Sequence, residues 1–105
     1  MHVITLTSAD DFVSIRDQIL FAGALRAVLI VPEFDRPDLG TTDLALLRRL
    51  ADRERLRIGL VTPDRRLRAL AREFGVPAFR SVGAAGRERG WRVRPRQTLG
   101  LATGE

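Results

Sequence analysis

Arg26-Ala27-Val28-Leu29-Ile30-Val31-Pro32 is the stretch that decides the fold. From Ala27 to Val31 the run is apolar with no alternation. A strand with one wet face would alternate apolar and polar residues, so an unbroken run this short reads as a strand covered on both faces in a parallel sheet. Pro32 closes it, because proline cannot extend the ladder.

Working outward, each flank repeats the same strand and helix grammar. Upstream, Val3 to Leu6 reads as a first strand. Ser8 then stands as the N-cap of a helix, with Asp10 and Asp11 in its first turn where the helix dipole favours anions. Phe12, Ile15, Ile19 and Ala22 follow at helical spacing, and Gly23 ends the helix. Downstream, Glu33 to Gly40 reads as a longer loop, and Thr41 or Thr42 as the cap of a second helix. Its buried stripe is Leu44, Leu47, Leu50 and Ala51, while Arg48, Arg49, Asp52 and Arg53 face water.

Arg57 to Thr62 reads as a third strand, and Thr62-Pro63-Asp64 as the opening of a third helix, with a hydroxyl cap, a proline and an acid. Leu67, Leu70, Ala71 and Phe74 form that helix's apolar face, and Gly75 ends it. Val76 to Phe79 reads as a short edge strand, because Pro77 cannot donate to a ladder. Ser81 caps a last, weak helix reaching toward Trp91, which packs back on the body. The expected fold is therefore α/β: a Rossmann-like or flavodoxin-like three-layer sandwich with a small, mainly parallel four-stranded sheet. Residues 1–91 form the single α/β domain, and 92–105 a basic flexible tail or linker.

Composition narrows the chemistry. The 105 residues contain no cysteine and one histidine, and all 18 basic residues are arginine. This excludes disulfides, thiolate metal ligands, cysteine nucleophiles and lysine amines as working parts. A lone His2 beside the first methionine leaves little for imidazole chemistry. The wholesale use of arginine reads as coding bias, not as a nucleic-acid footprint. Charge is unevenly placed. Residues 1–79 are close to neutral at +1, while residues 80–96 hold six arginines against one glutamate.

In open parallel sheets, ligands bind beyond the carboxyl ends of the strands. That rim is expected to gather Ser8, Asp10, Glu33, Thr62 and Asp64, which make a candidate ligand site. Helix capping accounts for most of the same residues. The Gly-rich phosphate loop, the dinucleotide turn and the Gly-x-Ser-x-Gly elbow are missing, so no catalytic residue, cofactor or metal site is expected. The second candidate is Arg87, Arg89, Trp91, Arg92, Arg94 and Arg96, where guanidinium groups around an indole could meet an anionic partner.

The stretch from Asp10 to Ile19, the central run Arg26 to Pro32, Leu44 to Asp52, Leu60-Val61-Thr62-Pro63-Asp64 and Ala71 to Ser81 together resemble a family of uncharacterised bacterial domains. These are the N-terminal cytoplasmic segments of membrane-anchored proteins, some labelled baseplate-J-like. The resemblance implies a Rossmann-like domain at the inner face of the membrane, followed past residue 105 by a membrane helix. Arginines near such a span fit the positive-inside rule. The leading expectation is a non-catalytic cytoplasmic interaction or regulatory module that meets a protein partner or forms an oligomer. A small-molecule or nucleotide-binding domain using the carboxyl rim is the alternative, and nucleic-acid binding by the arginine tail the third.

Overall fold

The computed structural model describes residues 1–87 and 91. Its elements alternate as expected: β1 (His2–Thr5), α1 (Phe12–Ala22), β2 (Arg26–Ile30), α2 (Thr41–Glu54), β3 (Arg57–Val61), α3 (Arg65–Glu73), β4 (Ala78–Phe79) and α4 (Val82–Arg87). The four strands form one sheet in the order β1-β2-β3-β4, and every pair is parallel. The α/β reading of the sequence is therefore correct. β2 is a central strand as its composition predicts, with Ala27, Val28 and Leu29 all buried.

The strand order adds what the sequence leaves open. Crossovers of a single hand that always step the same way put every crossover helix on the same face of the sheet. The main core shows it. Ile15 and Ile19 of α1, Leu44, Leu47 and Leu50 of α2, and Leu67 and Ala71 of α3 all join one cluster with Ile4, Leu6, Leu29 and Leu60. Each fully buried leucine of this kind contributes about 1.5–3 kcal/mol of transfer free energy.

The opposite face receives a smaller cluster, Val28, Val61 and Phe79 under Ala85 of α4 and Trp91. The three layers are thus unequal, and α4 packs on β3 and β4. On β1 the side chains of Val3 and Thr5 remain exposed.

Three caps sit elsewhere than the sequence suggests, and each displacement has a local cause. α1 is capped by Asp11, whose carboxylate accepts from the Ser14 N–H at 2.8 Å, and not by Ser8. Thr7 to Asp10 is consumed by a turn in which the Asp10 N–H donates to the Thr7 carbonyl, so Asp10 lies before the helix. α2 begins at Thr41 with Gly40 as N-cap; neither Thr41 nor Thr42 caps it, and the Asp43 carboxylate reaches back to the Gly40 N–H. α3 is capped by Asp64, not Thr62. The Thr62 hydroxyl is buried and accepts from the Asp64 N–H at 3.2 Å, which sets up the cap two residues later. Pro63 therefore precedes the cap instead of opening the helix.

At the other end, Ser81 caps α4 through the Ala84 N–H. Trp91 is 5% exposed and donates its indole N–H to the Ala85 carbonyl at 3.0 Å. Its ring lies against Gly59 in the middle of β3. A Cβ at position 59 would meet the Trp91 ring at 2.8 Å, closer than carbon atoms approach. Gly59→Ala is therefore expected to destabilise the domain by about 1–3 kcal/mol, the usual cost of overpacking. Urea melts followed by the fluorescence of Trp91, the single tryptophan, measure it directly. A native emission spectrum shifted to the red would accompany the displaced ring.

Candidate functional site

Because all four strands run the same way, the loops after β1, β2 and β3 lie along one rim; Glu33 and Asp64 line one depression there, while Ser8 and Asp10 sit on the β1 side and Thr62 is buried. The β2 loop ties the rim together. Ser8 Oγ donates to Asp35 at 2.6 Å on the β1 side. Arg36 Nη2 donates to Asp64 Oδ2 at 2.7 Å on the β3 side. Asp35 holds a left-handed φ of 52°, a conformation that aspartate tolerates better than most residues.

Each of these acids is already occupied. Asp10 accepts from the Ser14 hydroxyl at 2.6 Å, the Gln18 amide at 2.9 Å and the Thr7 N–H at 2.8 Å. Chiefly the Ser14 bond, with the Thr7 N–H next, holds its carboxyl below the ordinary value of 3.8. Asp64 binds Arg36 with one oxygen and caps α3 through the Arg66 and Leu67 amides with the other. The Arg36 bond first, then the Leu67 amide, lower its carboxyl in the same way. Thr62 is fully buried, so its hydroxyl faces no ligand.

Glu33 is exposed, and with Arg36, Pro63 and Asp64 it lines an open depression of about 290 Å³. The Arg36–Asp64 ion pair forms one wall. Among the described residues, no group of three or more acidic or histidine side chains is placed to hold a metal ion. Among the described residues, the rim thus presents a half-exposed ion pair and the exposed carboxylate of Glu33.

The second candidate divides. Arg87 is exposed at the end of α4, while Arg89, Arg92, Arg94 and Arg96 lie outside the described residues, as does the expected tail. Trp91 belongs to the core, and the cation on its ring is one the sequence does not single out. Arg26 Cζ, from the first residue of β2, lies 4.7 Å from the ring centre. Phe79 packs against the same ring with centroids 5.6 Å apart. Among the described residues no helix is long and apolar enough to cross a membrane.

The lowered carboxyls fix the sign of the acid response. A carboxyl depressed in the folded state contributes stability above its unfolded value, and that contribution is lost as pH falls through the folded value. Stability is therefore expected to be level above about pH 5 and to decline below 3.8 as Asp10 and Asp64 protonate. Denaturant melts across pH 2–6 should show a shallower decline in Asp64→Asn. That variant should also be less stable than the parent at pH 7, because the ion pair with Arg36 is gone.

Set against protein-family models, curated proteins and solved structures, the chain matches none of them. What it does must be read from its own surface.

Proposed function

We propose that this domain is a protein-interaction module, which docks a partner through the β1 and α1 end of its sheet, and is not a catalyst. One observation carries the reading. Among the described residues, every exposed large hydrophobic side chain lies within the first 34 positions, from Met1 to Phe34. Phe21 is 94% exposed and Leu25 77%. Single exposed leucines are ordinary, but Val13, Leu20 and Phe21 share the outer side of α1, opposite Ile15 and Ile19, and a group of that kind supports an interaction surface.

The fold supports this reading. Parallel sheets bury both faces when helices cover them, and here α4 packs on β3 and β4 while Val3 on β1 stays 41% exposed. The rim lends less to the ligand-binding alternative, since Asp10 and Asp64 are engaged internally. The strand order also runs in sequence among the described strands, with none of the reversal at which α/β sheets open a ligand crevice. The nucleic-acid reading depends on arginines outside the described residues. We keep with the interaction role the placement that the resemblance implies: a cytoplasmic module of a larger bacterial protein, at the inner face of the membrane.

Site-specific photo-crosslinking in living cells tests it. A benzophenone side chain at position 21 or 25 is expected to form discrete protein adducts, and one at Ala69, exposed on α3, none. Absence of adducts from positions 3, 21 and 25 would sink the proposal. Phe21→Glu should abolish the adduct from position 25 while changing stability by no more than about 0.5 kcal/mol, because the ring is solvated in the single chain.

A further inference from the structure

We infer that the amino end of the sheet, opposite the rim, holds a ligand site: a cavity beside Trp91 that takes a small organic anion, a carboxylate on an apolar body about as large as one ring. The inference goes beyond the docking surface proposed above and does not depend on it. The cavity has a volume of about 140 Å³ and lies between the last turns of α2, the start of β3 and the segment that leads into β4. Leu47, Ala51, Leu56, Ile58 and Val76 give it an apolar wall, and the Trp91 ring and Arg57 also line it. Apolar cavities of about 150 Å³ take up benzene, so the space is ring-sized.

The sequence explains why the space is there. Leu60 pairs with Ala78, and its N–H donates to the Pro77 carbonyl at 2.8 Å. One step further toward the amino end, the parallel ladder would need residue 77 to donate to the Ile58 carbonyl. Proline has no N–H to give, so the ladder stops and β4 begins only at Ala78. The matching acceptor for the Ile58 N–H would be the Gly75 carbonyl, which is taken by Arg48 Nη1 at 2.8 Å. Beside Ile58 the sheet therefore has a gap, and among the described residues the Ile58 N–H has no backbone partner there.

The charges at this end give the ligand its sign. The Asp52 carboxylate is matched by Arg48 at 3.1 Å. Arg57 is exposed and, among the described residues, forms no ion pair. It lies directly opposite Arg26 in the register of β2 with β3, and both face the Trp91 side of the sheet. Arg26 has its guanidinium against the ring, and Arg57 stands two residues before Gly59, which the same ring covers. Like charges opposite one another on one face repel. Arg26 has no acid among the described residues either, and its Nε is buried without a hydrogen-bond partner. Two neighbouring guanidinium groups beside an apolar cavity thus share no carboxylate of the described chain. A ligand carboxylate supplies one: Arg57 pairs with the charge while the ring-sized body fills the space against Trp91.

Titration of the full 105-residue chain with sodium benzoate at constant ionic strength, followed by amide and indole NMR, tests the inference. The Trp91 indole N–H and the Ile58 and Val76 amides should shift and saturate together with a Kd of about 1–10 mM, as expected of so small a ligand. Benzyl alcohol, of similar size without the charge, should bind about tenfold more weakly. Arg57→Gln should weaken benzoate by about the same factor and leave benzyl alcohol unchanged. Arg55→Gln, which removes an exposed arginine outside the cavity, should alter neither. No saturable shift through about 50 mM benzoate, equal binding of the two probes, or a benzoate Kd that Arg57→Gln leaves alone would overturn the inference. So would a loss as large in Arg55→Gln as in Arg57→Gln, which would mark bulk charge instead of a site. None of these outcomes bears on the adducts from positions 21 and 25, which test the docking surface separately.

Discussion

A parallel sheet whose strands lie in sequence order has to take its crossover helices on one side, and most of this molecule follows from that constraint. Three helices crowd one face and build the main core with Ile4, Leu29 and Leu60. The reverse face is left to the last short helix and to Trp91, which reach Val28, Val61 and Phe79. They do not extend over Val3. The bare end of the sheet is thus a consequence of winding direction as much as of local sequence.

The same constraint shapes the rim. Doubly wound sheets make a crevice where successive crossovers part to opposite faces, and a sheet wound one way closes its loops over their neighbours instead. Here the β2 loop spans the gap in both directions, through Ser8 with Asp35 and through Arg36 with Asp64. Acids that look like a reactive cluster in the sequence become braces between loops and caps on helices. Their lowered proton affinity reflects that structural work, as it often does in ion-paired scaffolds.

Trp91 shows how a residue far along the chain can decide the meaning of one in the middle. Gly59 interrupts an otherwise branched and apolar strand, and an isolated glycine in a strand signals a close approach from outside the ladder. The indole lies in the space a side chain would need there, with Arg26 against its ring. Its partner is not legible locally, because nothing in nearby sequence links position 59 to position 91. The arginine against the Trp91 ring is likewise Arg26, its neighbour in space, although the six arginines of residues 80–96 stand closer to it in the sequence.

Local sequence is enough to place most of the elements. The unbroken apolar run at Ala27 to Val31, the leucine spacing of α2 and the glycine at position 23 each act within a few residues, where periodicity and backbone freedom suffice. It also limited the chemistry, since absent cysteine and lysine cannot be replaced by folding. The caps of α1, α2 and α3 sit one to three residues from the hydroxyls that local sequence offers, because hydroxyls and carboxylates compete for the same amides and the turn before each helix chooses between them. Strand order, the face each helix covers, the pairing of Ser8 with Asp35 and the exposure of Phe21 came only from tertiary structure. These depend on which distant segments meet, a choice made by the packing of the whole sheet and not by any local pattern.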